Sequence, residues 1–148
     1  MRILGVDWGE QRIGFAVSDD QGIIAMPIET VSVANEDQAL LAVSRFIAQT
    51  RAEKLVLGLP INMDGTVGPI ARKVQNFAAR LSERIQVPLE TWDERLSTSM
   101  AERVLLEANV SREKRKRARD RMAAQIILQG YLDAQNRGDA EPEDVELP

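Results

Sequence analysis

The apolar positions of this chain change period several times, and each change marks an element. Residues 2–7 form a short, almost continuously apolar run, Arg2-Ile3-Leu4-Gly5-Val6, ending on Asp7. That is the pattern of a strand covered on both faces. Trp8-Gly9-Glu10-Gln11 reads as a turn, after which Ile13, Phe15 and Val17 alternate with Arg12, Gly14, Ala16 and Ser18. Period two predicts a second strand, paired to the first as a hairpin. Asp19-Asp20-Gln21-Gly22 is a further turn, and Ile23 to Val31 is expected to form a third strand, with Pro27 placing it near an edge.

The period then becomes helical. Asn35 followed by Gln38 resembles a capping box, and Ala39, Leu40, Val43, Phe46 and Ile47 recur on one helical face. Leu55-Val56-Leu57-Gly58-Leu59 is a buried-strand run closed by Pro60 and the turn-rich loop 62–69, and a helix from about Ile70 to Arg84 follows. Leu89 to Trp92 reads as a short strand ending at Asp93-Glu94-Arg95. Ser99 with Glu102 offers a second capping box for a helix reaching Ala108. From Ser111 to Gln135 there is no Pro and one Gly, which predicts a long final helix. The order β-β-β-α-β-α-β-α describes an α/β fold with a five-stranded mixed sheet and flanking helices. Residues 1–136 are expected to form one domain and residues 137–148 an acidic, disordered tail.

Composition narrows the chemistry. The chain has 148 residues, 44% hydrophobic and 28% charged, as in globular domains. It contains no Cys and no His, so thiolate and imidazole chemistry are excluded, and any catalysis must use carboxylates, hydroxyls, Lys, Arg or backbone. The opening residues lack a secretory pattern and no apolar run approaches a membrane span, so a cytoplasmic location without membrane contact is expected. The net charge of −4 belongs mainly to the tail. Residues 133–148 hold six acids and one base, whereas residues 1–132 hold 18 bases and 17 acids.

Against that background the acids at strand ends stand out. An ionised carboxylate closing a buried strand, as Asp7 does, costs several kcal/mol unless it is paired or metal-bound. Asp93 and Glu94 close another buried strand, where α/β sheets collect their ligand sites. Asp120 lies within about 60° of Ala123, Ala124, Ile127, Tyr131 and Ala134 on a helical projection, and so on the packing face. Acids from two strands and a helix, with no soft ligand, fit oxygen-only coordination of Mg²⁺ or Mn²⁺. A pair of such ions about 4 Å apart performs phosphodiester hydrolysis without histidine. Each acid also has a structural reading, as a turn acceptor, a helix N-terminal anion or an intrahelical partner of the neighbouring arginines.

Five segments carry a resemblance: Gly5-Val6-Asp7-Trp8-Gly9, Arg12-Ile13-Gly14-Phe15-Ala16-Val17-Ser18-Asp19, the stretch from Gly58-Leu59-Pro60 to Asp64-Gly65-Thr66, Trp92-Asp93-Glu94-Arg95-Leu96-Ser97-Thr98, and the run from Asp120-Arg121-Met122 to Asp133. Together they resemble the YqgF family, also called RuvX, of bacterial resolvases and ribosomal RNA-processing nucleases, over residues 2 to about 133. The resemblance implies a ribonuclease H-like fold and a metal-dependent nuclease maturing the 5′ end of pre-16S ribosomal RNA, with Holliday-junction cleavage as the alternative. By position it implies Asp7, the Asp93-Glu94 pair and Asp120 as catalytic acids, with Asp7, Glu94 and Asp120 the expected metal set and the choice between Asp93 and Glu94 as the ligand left open. Glu10 departs from the family pattern and would add a ligand only if it faced the ions.

Seven bases between residues 112 and 121, among them Arg112, Lys114, Arg115, Lys116 and Arg117, form a candidate phosphate-binding stretch beside Asp120. Gly65 and Gly68 offer backbone N–H groups ahead of Arg72 and Lys73, a candidate phosphate cradle. Arg12, Asn62 and Arg95 complete the expected substrate-binding set. Aromatic residues are too scarce for base-stacking platforms, so the expected partner is nucleic acid read through backbone and shape. A four-way junction substrate would call for a homodimer. Two other classes remain open. An actin-like or sugar-kinase ATPase shares the Asp7-x-Gly9 hairpin but needs a second domain for which 148 residues leave no room, and a non-catalytic ribosome-assembly or nucleic-acid-binding factor would use the acids only for structure.

Overall fold

Alternation along the strands sorts the apolar residues to two faces of one sheet. A computed structural model describes residues 1–96 and 111–138, apart from the side chains of residues 112 and 115–121. Its elements are β1 (Ile3–Trp8), β2 (Arg12–Ser18), β3 (Ala25–Ser32), α1 (Glu36–Thr50), β4 (Lys54–Leu59), α2 (Pro69–Arg84), β5 (Leu89–Asp93) and α3 (Arg112–Arg137). The first three strands form an antiparallel meander, while β4 and β5 add in parallel, giving the order β3-β2-β1-β4-β5. One face, carrying Leu4, Val6, Ile13, Phe15, Leu55 and Leu57, packs on Val43 and Phe46 of α1 and Val74, Phe77 and Leu81 of α2. The other, with Ile3, Ala16 and Val56, packs on Ala124, Ile127, Leu128 and Tyr131 of α3.

The first helix starts where its caps dictate. Asn35 accepts from the Gln38 N–H at 3.0 Å, but the Gln38 side chain reaches back to the Ala34 N–H at 2.8 Å, one residue earlier than the expected reciprocal bond. In α3, Ser111 accepts from the Lys114 N–H, and Gly138 ends the helix with φ 78°. The helix therefore runs through Arg137, past the expected domain boundary. The expected helix from Ser99 to Ala108 and the tail beyond residue 138 lie outside the described residues.

The third strand is shorter than its apolar pattern. Asp19 accepts from the N–H groups of Ile23 and Ile24, which removes them from the ladder, and β3 begins at Ala25. It is an edge strand, and Pro27 sits at the irregularity between Phe15 and Ala16, where a missing N–H is tolerated. Among the described residues Ser18 is the one buried polar residue of the core. Its hydroxyl accepts from the Ile3 N–H at 2.8 Å and donates to the Asp19 carbonyl.

Helix α3 lies unusually close to the sheet because glycines face it. A Cβ on Gly5 would come within 2.7 Å of Leu128 Cβ, and one on Gly58 within 2.5 Å of Ile127 Cδ1. The C-terminal half of α3 is pinned by polar contacts as well. Tyr131 donates to Glu90, and Lys54 reaches both.

Candidate active site

Strand parity decides which acids share a face. In β1, Ile3, Gly5 and Asp7 face α3, whereas Leu4 and Val6 face α1 and α2. In β5, Glu90 and Trp92 face α3, and Leu89 packs on the opposite core. Asp93 therefore takes the α1/α2 side and Glu94 the α3 side, with the Glu94 N–H continuing the ladder to the Leu59 carbonyl at 3.1 Å. Between β1 and β5 runs β4, whose Gly58 leaves room for the Glu94 carboxylate. Glu94 Oε2 lies 2.9 Å from where a Gly58 Cβ would stand. A side chain at position 58 would displace the Glu94 carboxylate or push Ile127 away.

The electrostatics separate the adjacent acids. Burial first, then the charges of Asp7 and Asp93, push the Glu94 carboxyl up to about 7. Asp93 moves the other way, because the Arg95 guanidinium holds it below the usual carboxylate range. Its Oδ1 accepts from the Arg95 backbone N–H at 3.0 Å and its Oδ2 from Nη2 at 2.7 Å, with Nε shared between both oxygens. Arg95 Nη1 reaches the Met63 carbonyl at 3.4 Å.

Asp120 lies in α3, one helical turn before Ala124, and its side chain is outside the described residues. Among the described residues no group of three carboxylates is close enough to hold an ion. The donor set nonetheless suits a hard divalent cation: Asp7 and Glu94 supply oxygens only, and their mutual repulsion is of the kind such a charge relieves. Glu10 is exposed and pairs with Lys73 at 2.9 Å.

The substrate-binding candidates fare unevenly. Arg12 is exposed and lines an open cavity of about 940 Å³ together with Asp7, Gly14, Glu29, Ile70 and Ala124. Arg72 is exposed in the first turn of α2, and Lys114 is exposed at the start of α3. Lys73 is engaged by Glu10, and Arg95 by Asp93. At the expected phosphate cradle, the Gly65 half is bonded within the loop. Gly65 donates its N–H to the Asn62 carbonyl at 2.8 Å, Asn62 Nδ2 bonds Thr66, and Thr66 bonds Asp64, because a loop this short satisfies its polar groups internally. Met63 stands out from it, 87% exposed. Arg112, Arg115, Lys116 and Arg117 belong to α3, with side chains outside the described residues.

Gly58 and the Asp93–Arg95 fork escape the sequence reading. A strand glycine among large apolar neighbours was the available signal for the first, and the parity of Glu90, Trp92 and Glu94 for the second.

Comparison with known proteins places the chain. The profile of the Holliday junction resolvase family RuvX matches residues 1–134. The chain belongs to the RuvX family. Its RuvX relatives include a protein of Bacillus pumilus (strain SAFR-032), 49% identical over 138 residues, covering 92% of this chain and all of that one. A protein of Halothermothrix orenii is 46% identical over 137 residues, covering 93% and 98%. Both bear the name "Putative pre-16S rRNA nuclease". Among solved structures, Thermus thermophilus RuvC in complex with a Holliday junction substrate superposes with a TM-score of 0.57 at 13% identity, covering 93% of this chain and 96% of that one. The RuvX chain thus has the ribonuclease H-like resolvase fold, as its strand order already suggests.

Proposed function

We propose that the chain is a divalent-metal-dependent nuclease hydrolysing phosphodiester bonds in 5′-end maturation of pre-16S ribosomal RNA. The observation that carries this reading is that the Glu94 carboxylate, lying over Gly58, is raised by burial and by the charge of Asp7, both acids standing at the carboxyl ends of strands flanking β4. Holding two such acids together is costly, and a site for cations gives that cost a function. Asp7, Glu94 and Asp120 would hold Mg²⁺ or Mn²⁺, which would supply Lewis acidity at the scissile phosphate. The chain's own part is to keep these carboxylates ionised and oriented and to hold the polyanion. Arg12 and Arg72 lie exposed toward the same end of the sheet, and the bases from Arg112 to Arg117 precede Asp120 on its helix.

The choice of RNA over branched DNA rests on the relatives, which are near 50% identical and carry the pre-16S name, whereas the likeness to the junction-bound RuvC is a likeness of fold. Processing of ribosomal RNA implies a cytoplasmic protein. The test is cleavage of a pre-16S RNA fragment and of a four-way DNA junction side by side, with Mn²⁺ or Mg²⁺ and with EDTA. Metal-dependent cutting of the RNA, abolished in a folded Asp7→Asn protein, is the expected result. Cutting of the junction alone would transfer the activity to DNA, and no cutting of either would leave a non-catalytic binding factor.

A further inference from the structure

We propose that Asp93 is a positioning residue. With Arg95 it joins the corner after β5 to the β4–α2 loop, so that Glu94, held between them, keeps its approach to Asp7. The proposal rests on the nuclease reading and divides the adjacent acids into two roles. Parity turns Asp93 to the face opposite Glu94, since it is in phase with Leu89 on the α1/α2 side. Both its oxygens are occupied. Four bonds of 2.7–3.1 Å come from the backbone N–H, Nε and Nη2 of Arg95. A carboxylate saturated by a planar fork has little left for a cation.

Arg95 extends the arrangement across the chain. Its Nη1 donates to the Met63 carbonyl at 3.4 Å and lies 3.8 Å from where a Cβ would stand on Gly65, the loop residue with φ +89°. Its charge also acts on Asp64, whose carboxylate is already bonded by Thr66. The loop is internally bonded, and Arg95 ties that closed turn to the strand end bearing Glu94. The pair is half-buried, and its planar fork fixes the direction of both groups, so what it secures is geometry. The geometry needs a fork, which lysine does not have.

The test compares full-length Asp93→Asn, Arg95→Lys, the double variant and Glu94→Gln with the unmodified chain. Mn²⁺ affinity is measured by calorimetry, turnover on the pre-16S fragment by initial rates, and amide exchange in residues 61–68 by mass spectrometry. Glu94→Gln is expected to weaken Mn²⁺ binding by about 10-fold or more, whereas Asp93→Asn and Arg95→Lys, which leave the ligand in place and loosen only its support, weaken it equally and by about threefold at most. Both are expected to lower turnover by about 10-fold and to speed exchange in the loop, and the double variant to lose no more than either single, because the pair acts as one device. Loss of Mn²⁺ affinity in Asp93→Asn to match Glu94→Gln would make Asp93 a ligand and overturn the proposal. Full activity in Arg95→Lys, or additive losses, would overturn it equally. If the unmodified chain cleaves nothing, the nuclease reading fails on its own. The affinity and exchange measurements still decide whether Asp93 and Arg95 hold the loop without binding the ion.

Discussion

Replacing Glu94 by Gln removes one ionisable group from a place that resists its charge, and the consequence is a stability gain with a definite pH dependence. The Glu94 carboxyl sits at about 7 in the folded protein against 4.5 for the ordinary group, chiefly through burial and then through Asp7 and Asp93. Since the folded-state value is the higher one, the folded protein binds the additional proton. This group's contribution to stability is therefore fully present below about pH 4.5 and is lost as pH rises through 7. At about 1.4 kcal/mol per pKa unit the loss is bounded near 3 kcal/mol, and partial contact with solvent brings it to about 2 kcal/mol. Gln cannot ionise and keeps that contribution. In EDTA at pH 8, Glu94→Gln is expected to melt roughly 5 °C above the unmodified chain, a difference that shrinks toward zero at pH 4.5. The comparison is made by circular dichroism melts of both proteins across that range, so that all other titrating groups cancel. Mn²⁺ at 100 times the unmodified chain's Kd should narrow the gap at pH 8 to below about 1 kcal/mol, since it adds about 2.7 kcal/mol to the unmodified chain and about 1.4 kcal/mol to a variant that binds about 10-fold more weakly. A variant less stable than the unmodified chain in EDTA at pH 8, or an equal difference at both pH values, would refute the repulsion argument.

Other perturbations follow from the same geometry. Gly58→Ala places a methyl group 2.5 Å from Ile127 Cδ1 and 2.9 Å from Glu94 Oε2, so urea melts should show a loss of about 1–3 kcal/mol together with weakened Mn²⁺ binding. Unchanged values for both would mean that α3 yields at no cost. Ser18→Ala leaves the Ile3 N–H buried without its acceptor, and urea unfolding should register about 1–3 kcal/mol of destabilisation with cleavage unaffected. Changing Arg115, Lys116 and Arg117 to Ala should weaken RNA binding and lower its dependence on salt by about 0.7–0.9 in log–log slope per lost phosphate contact, as read by fluorescence anisotropy. An unaltered slope would remove these bases from the interface.

Much of the architecture is written in local pattern. A continuous apolar run marks β1, alternation marks β2, the helical recurrence of Ala39, Leu40, Val43 and Phe46 marks α1, and Asn35 and Ser111 mark helix starts, because each signal depends on neighbours in the chain. The start of β3 is the exception. The carboxylate of Asp19 competes for the Ile23 and Ile24 N–H groups, and apolar pattern says nothing of such a bond.

At the candidate site, the sequence by itself narrowed the chemistry open to the chain. With neither His nor Cys in the chain, acids closing Asp7 and Asp93-Glu94 strands left hard-cation chemistry as the reading, and the five motif segments pointed to the family that the comparison then established. Tertiary structure alone decided which acid of the pair meets Asp7, since that depends on the register of β4 against β5 and on the space left at Gly58. It likewise decided that Arg95 is committed to Asp93 and that Gly65 spends its N–H inside its own loop. Periodicity is set by residues a few positions apart, whereas a carboxylate's partner is set by whatever the packing brings within 3 Å, and nothing local encodes that distance.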